Sequence, residues 1–293
     1  MHSFVSDYAQ LMRFDRPVGT LLLLWPTLAA LWVAANGAPA IDLVVIFTAG
    51  TVVTRAAGCV INDYADRNID LHVERTRDRP LTAGRVSETE ALLLLATLMA
   101  AAALLIVFLN PLTRWLALGG AAVAALYPLM KRLTYLPQVI LGIAFSWGIL
   151  MAFTATQGSL PEQAWLLFIA SLIWIVAYDT LYAMVDREDD LKIGVKSTAI
   201  LFGNADRLMV GVLQFTTLAI LILLGLNAGY GTPFYLAVLV TGALFGYQQR
   251  LIRDRDRTGC FNAFRNNVWV GFAWFVGIVV ELDALPRLYG LSG

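Results

Sequence analysis

The chain has 293 residues, 59% of them hydrophobic and only 14% charged, with a mean hydropathy of +0.70. A soluble globular chain carries about 25% charged residues, and here the apolar excess runs along the whole sequence, so the bilayer is the expected solvent for most of it. The 21 basic and 21 acidic residues cancel, which leaves no basic surplus to suggest a nucleic-acid partner.

The N-terminal segment carries Asp7, Arg13 and Asp15 among polar residues. The apolar run after Arg16 has no small-residue cleavage pattern, so the sequence predicts neither a cleaved leader nor an organelle transit peptide. A bacterial plasma membrane is the simplest setting. The apolar runs that follow are each long enough, at about 20 residues, to span a bilayer. They fall at 18–36, 41–61, 90–109, 114–130, 137–156, 163–184, 208–227, 232–249 and 266–282. The prediction is an all-α polytopic membrane protein of about nine transmembrane helices, one domain covering 1–293. Cys59 falls inside the second helix and Cys260 in a basic loop, which suggests no disulfide framework. His2 and His72 are too few for a histidine-rich metal site.

The connections fix an orientation. Of the 21 lysines and arginines, 18 lie in the N-terminal segment and in the connections after helices two, four, six and eight. Only Arg114 and Arg287 lie on the other side, and Arg55 sits within the second helix. Positive charge marks the cytoplasmic side, so the N-terminus is predicted to be cytoplasmic. Two cytoplasmic connections are long, 62–89 and 185–207, and long ordered loops tend to carry function.

Both long connections open with acidic motifs. The first is Asn62-Asp63-Tyr64-Ala65-Asp66-Arg67-Asn68-Ile69-Asp70. If the second helix continues past Asn62, residues 62, 66 and 70 share one face. Arg55, seven residues before Asn62, lies within about 20° of that face. The second motif contains Asp179, Tyr182, Asp186 and Asp190. Its carboxylates are spaced 7 and 4, repeating the spacing of Arg55, Asn62 and Asp66. Both stripes end helices that run in the same direction, which suggests a parallel four-helix repeat with a site between its halves.

Such a pair of stripes suits diphosphate chemistry. Mg²⁺ is a hard octahedral ion, held by one or two carboxylates together with phosphate oxygens and water. Facing Asp clusters can hold such ions around one diphosphate and stabilise the charge that develops as its C–O bond breaks. Arg75, Arg77, Arg79, Lys131, Arg132, Lys192 and Lys196 crowd the same side, Lys131 and Arg132 directly at the mouth; positive-inside topology alone would also put basic residues there. Arg55 and Asp179 lie deeper. An ionisable group at mid-helix costs about 2.5–3.5 kcal/mol on insertion scales and is usually functional. Asp63, Glu188 and Asp189 read as solvated helix-end carboxylates. Gly142, Ser146 and Gly148 allow close helix packing.

At these motifs the sequence resembles the UbiA-type membrane prenyltransferases, whose mark is an NDxxDxxxD motif and a DxxxD motif four helices later. Here they stand as Asn62–Asp70 and Asp186–Asp190. Three segments, "NDYADRNIDLHVERTRDRPLTAGRVS", "YPLMKRLTYLPQVILG" and "YDTLYAMVDREDDLKIGVKSTAILFG", resemble the branch that prenylates 4-hydroxybenzoate in bacterial ubiquinone biosynthesis. The resemblance implies nine helices around a central cavity open to the cytoplasmic side and to lipid. It implies transfer of a polyprenyl group from polyprenyl diphosphate to 4-hydroxybenzoate, ortho to the hydroxyl, in the cell inner membrane. By the same resemblance Asp66, Asp70, Asp186 and Asp190 would bind Mg²⁺, with Asn62 assisting. Arg55, Asp179 and Tyr182 would line the aromatic pocket, and Lys131 and Arg132 would meet the diphosphate. Two other readings stand beside this one: a prenyltransferase for a different aromatic acceptor, and an ion-coupled transporter, since intramembrane carboxylates and internal repeats also build carriers.

Overall fold

The computed structural model describes residues 4–71 and 76–284, so His2, His72, Arg75 and Arg287 lie outside the described residues. Among those described, the regular structure is entirely helical. In chain order the helices are α1 (Phe4–Leu11), α2 (Val18–Ala35), α3 (Ile41–Asp70), α4 (Glu88–Ile106), α5 (Pro111–Leu133), α6 (Pro137–Gln157), α7 (Glu162–Ile193), α8 (Thr198–Phe202), α9 (Asp206–Ala228), α10 (Thr232–Leu251) and α11 (Arg257–Val279). Each of the nine predicted apolar runs coincides with one long helix. Eight are long and apolar enough to cross a membrane. The ninth, α10, has 20 residues but ends in Gln248, Gln249 and Arg250, which dilute its hydropathy. Gln248 is buried and accepts from Gln214 at 2.8 Å while donating to Asn266 at 3.0 Å, so its polarity is spent inside the protein.

Local chemistry sets the helix ends. Ser87 and Glu90 close a capping box at the start of α4. Asn110 caps α5 ahead of Pro111. Gly194 ends α7 with φ 72°, a left-handed conformation that glycine adopts without a Cβ penalty.

α3 and α7 are the longest helices, at 30 and 32 residues. The hydrocarbon core needs only about 20, so each extends some three turns past it. That surplus carries the acidic motifs. It also shortens the predicted loops: the second long connection begins after Ile193 rather than Val185, and α8 fills part of it. The link between α10 and α11 is likewise shorter than expected, because α11 starts at Arg257. Cys260 is therefore a buried helical residue, not a loop residue, and both cysteines are free. The polar run Arg265-Asn266-Asn267 disguises this start. Asn267 is nevertheless in the core, accepting a hydrogen bond from Trp174 Nε1 at 2.8 Å.

The order of neighbours repeats along the chain. α2 packs on α3, α3 on α4, and α5 on α6; in the second half α6 packs on α7, α7 on α9, and α10 on α11. α11 closes back on α2 and α7, and α2 also packs on α6. The core lies among these central helices, with Leu31, Ile149, Phe153, Leu167, Trp174 and Trp274 fully or almost fully buried. Helix approach is close where a Cβ is missing: one on Gly148 would lie 2.8 Å from Thr27 Oγ1. α4 and α5 are peripheral, and Leu93, Leu104, Trp115 and Leu118 are exposed on them as a lipid-facing surface.

Candidate active site

Because α3 remains helical to Asp70, Asn62, Asp66 and Asp70 do share a face, and that face lines a cavity of about 160 Å³. α7 brings Asp179, Tyr182, Asp186 and Asp190 to the opposite wall of the same cavity. The remaining lining comes from Tyr127 and Lys131 on α5, Gln138 on α6, Thr76 and Arg79 from the α3–α4 connection, and Lys196 and Ser197 beyond α7. Two residue groups that the sequence separates by over a hundred positions thus face each other.

Lys131 Nζ forms a close ion pair with Asp66 Oδ2. The other oxygen of Asp66 is buried and accepts no hydrogen bond. Asp70 is held from two sides: its carboxylate takes Arg79 Nη1 at 2.7 Å, and its backbone carbonyl accepts from Thr76 Oγ1 at 3.0 Å. Arg79 Nη1 also reaches Asp63 Oδ1 at 2.8 Å, and Arg13 Nη2 takes both oxygens of Asp63 at 2.8 and 2.9 Å. Asp63 is 1% exposed. The expectation that it is solvated is therefore corrected: it is the buried centre of an Arg13–Asp63–Arg79–Asp70 chain. Asp189 and Glu188 instead pair with Arg257, and Glu188 stays exposed.

The basic residues separate. Lys131, Arg79 and Lys196 line the cavity. Arg132 does not; it is exposed and donates to the carbonyl of Ala65 at 2.8 Å. Arg77 and Lys192 point to solvent, pairing with Asp78 and Asp189. Arg75 lies outside the described residues.

Arg55 lies behind the cavity rather than in its wall. Its guanidinium carbon sits 5.7 Å from the ring centroid of Phe145, and its Nε is buried without a hydrogen-bond partner. Asp179 and Tyr127 are among its electrostatic neighbours. Tyr178 Oη, Trp25 Nε1 and Ser146 Oγ are also buried and unpartnered. Buried polar groups left unpaired are costly and rare in folded proteins. Tyr182 packs its ring 4.7 Å from Phe264. Tyr127 was missed in the sequence, although its position four residues before Lys131 puts both on one helix face.

The donors suit Mg²⁺. Asp66, Asp70, Asp186, Asp190 and Asn62 offer only hard oxygens, and Asp66 Oδ1 is a buried acceptor still lacking a donor. Among the described residues no three His, Cys, Asp or Glu side chains converge closely enough to hold a metal ion unaided. An ion at these residues would take one or two carboxylates from the protein and the rest of its ligands from phosphate and water.

The sequence matches the model of the UbiA prenyltransferase family over residues 23–276. It is 57% identical over 281 residues to the 4-hydroxybenzoate octaprenyltransferase of Ectopseudomonas mendocina, covering 96% of this chain and 95% of that one. The fold is similar to that of a UbiA homolog from Aeropyrum pernix K1, with a TM-score of 0.79 at 24% identity over 89% of this chain and 97% of that one. It is also similar to a UbiA homolog from Archaeoglobus fulgidus bound to GPP and Mg²⁺, with a TM-score of 0.67 at 19% identity over 92% of this chain and 99% of that one. Carrier sites typically sit near the membrane midplane at broken helices. Here Asp66, Asp70, Asp186 and Asp190 stand within about the last two turns of two unbroken helices, with only Asp179 deeper, and the transporter reading is set aside. The chain is a multi-pass membrane protein that belongs to the UbiA prenyltransferase family.

Proposed function

We propose that the protein transfers a polyprenyl group from polyprenyl diphosphate to the carbon of 4-hydroxybenzoate ortho to its hydroxyl. The observation that carries this reading is the cavity in which the α3 and α7 carboxylates face each other, with Asp179 in its wall and Arg55 behind it. The name of a relative 57% identical over nearly the full chain supports the same acceptor.

Asp66, Asp70, Asp186 and Asp190 would hold Mg²⁺, with Asn62 assisting. The ion, when bound, supplies positive charge against the departing diphosphate. Lys131 and Arg79 stand among these carboxylates and can turn to phosphate oxygens when the diphosphate enters. The C–O bond to the prenyl carbon breaks, the electron pair leaves with the diphosphate, and the allylic cation is attacked by the ring carbon. That carbon then gives up its proton to the released diphosphate, which restores the aromatic ring. Arg55 receives the carboxylate of the acceptor, which fixes the hydroxyl end of the ring toward the cation. Tyr127 and Tyr182 flank this space and exclude water. The cavity, about 160 Å³, takes the polar head, and the prenyl tail runs to the apolar surroundings.

The asymmetry of basic residues supports a cytoplasmic N-terminus and a cavity opening to the cytoplasmic side of a bacterial inner membrane. The test is prenyl transfer by the purified protein in detergent, with 4-hydroxybenzoate, a prenyl diphosphate and Mg²⁺, repeated with EDTA. Ring prenylation that EDTA abolishes is the expected result. Diphosphate release without that product would keep the chemistry and move the acceptor to another aromatic acid.

A further inference from the structure

A second concavity lies on the outer flank of the second half, away from the active site. It is a groove of about 640 Å³ where the start of α9 meets the end of α10 and the α10–α11 link. Its two ends differ in chemistry. At one end stand Arg207 and Arg255. Arg207 Nη1 donates to the carbonyl of Arg253 at 3.1 Å, and its Nε is buried without a hydrogen-bond partner. No acidic side chain pairs with Arg207 among the described residues. Arg255 donates from Nε to Asp206 and from Nη2 to the carbonyl of Asn204, both at 2.8 Å. Asp206 is fully buried and is already matched by Arg187 at 3.2 Å. The end therefore carries a surplus of positive charge.

Away from the arginines the groove becomes apolar. Leu208, Val212 and Phe215 recur at i, i+4 and i+7 on α9, on one face, and are 68%, 47% and 72% exposed. Gly211 and the Gln249 side chain form the floor between them. From Arg207 to Phe215 the helix rises about 12 Å. A charged end followed by an apolar gutter of that length has the shape of an amphiphile lying against the helix. The charged end is at the same end of the bundle as the acidic motifs, since α9 follows α7 through the short α8. This is the headgroup level of that leaflet, where basic pockets between helices take anionic headgroups.

We propose that this groove binds an anionic phospholipid of the bilayer, its phosphate on Arg207 and Arg255 and its acyl chain along Leu208, Val212 and Phe215. Guanidinium groups are suited to phosphate, which they can meet with paired N–H donors. The free Nε of Arg207 is a donor still lacking its acceptor.

The experiment is native mass spectrometry of the delipidated full chain in detergent, titrated with dioleoylphosphatidylglycerol or dioleoylphosphatidylcholine. One phosphatidylglycerol is expected per chain, held more tightly than phosphatidylcholine. Arg207→Gln should weaken its retention about fivefold, the weight of one arginine at a membrane surface. Gly211→Leu should do the same from the apolar side. A Cβ there meets Gln249 at an ordinary 3.6 Å, so the substitution starts without a backbone clash, and a melting curve in detergent beside the titration checks that the variant is folded. Equal retention by wild type and both variants, or equal retention of the two lipids, would overturn the site. Displacement of phosphatidylglycerol by equimolar farnesyl diphosphate would overturn the lipid assignment by showing a site for the prenyl substrate.

Discussion

The guanidinium of Arg55 occupies the space that a side chain on residue 19 would fill. A Cβ on Gly19 would lie 2.5 Å from Arg55 Nη2 and 2.6 Å from Nε. The obstacle is the far end of a flexible side chain, so Gly19→Ala should fold and push the guanidinium aside rather than break the contact between α2 and α3. If Arg55 binds the acceptor carboxylate, the loss of one charge-assisted hydrogen bond is worth about 1.5 kcal/mol or more. The KM for 4-hydroxybenzoate should then rise about tenfold, with the KM for prenyl diphosphate unchanged. Arg55→Ala should go further and remove 4-hydroxybenzoate turnover while retaining prenyl diphosphate binding. Steady-state kinetics with each substrate varied in turn checks both variants. A parallel rise in both KM values would take Arg55 out of the acceptor pocket.

Asp66 and Asp186 stand on opposite walls of one cavity, and each is expected to be indispensable. Asp66→Ala or Asp186→Ala should abolish turnover while the helices remain inserted, because both residues line the cavity and the helices are held by the apolar core among α2, α6, α7 and α11. Activity measured against Mg²⁺ concentration, beside a melting curve in detergent, separates the two effects. Normal turnover in either variant would dismiss the metal assignment. Lys131→Met is the informative companion. It releases Asp66 from its ion pair, so it should raise the KM for prenyl diphosphate without weakening Mg²⁺ binding.

The sequence exposes what is periodic and hides what is brought together from a distance. Nine helices are legible because a bilayer demands about 20 apolar residues of each. Asn62, Asp66 and Asp70 are legible as a stripe because their helix continues. Asp63 is one residue off that stripe and reads as solvated; Arg13, fifty residues earlier, and Arg79 bury it, and no local pattern announces either. Arg132 follows Lys131 in sequence but stands about 100° around the helix. One enters the cavity, and the other turns to a carbonyl of α3. The short amphipathic α1 escapes notice because it neither spans the membrane nor carries a motif, yet Asp7 on it takes Arg85 Nε at 2.8 Å and so helps hold the α3–α4 connection.

Asp63→Asn tests whether that buried centre is structural. It leaves Arg13 and Arg79 without their shared carboxylate. Breaking a fully buried pair costs about 3–5 kcal/mol. Both arginines keep some exposure to solvent, at 20% and 16%, so about 2 kcal/mol is the expected loss after screening. Thermal unfolding in detergent should show a clearly lower midpoint. Glu188→Gln, at an exposed pair with Arg257, should leave the midpoint where it was. Equal melting of the two variants would show that Asp63 does no more than a surface carboxylate.

The membrane orientation can be read independently of activity. Residues 76–87 connect α3 to α4 and include Arg77, Arg79 and Arg85, and they sit at the same end of the bundle as both acidic stripes. The short turn from Asn36 to Ala40 lies at the opposite end of α3. A reporter active only in the cytoplasm should signal when fused within 76–87 and stay silent when fused within the turn, and a periplasmic reporter should give the reverse. The site faces the compartment that the connection faces, because Arg79 binds Asp70 from it at 2.7 Å. A periplasmic signal from 76–87 would therefore move the diphosphate end of the cavity to the other side of the membrane, away from any cytoplasmic supply of prenyl diphosphate.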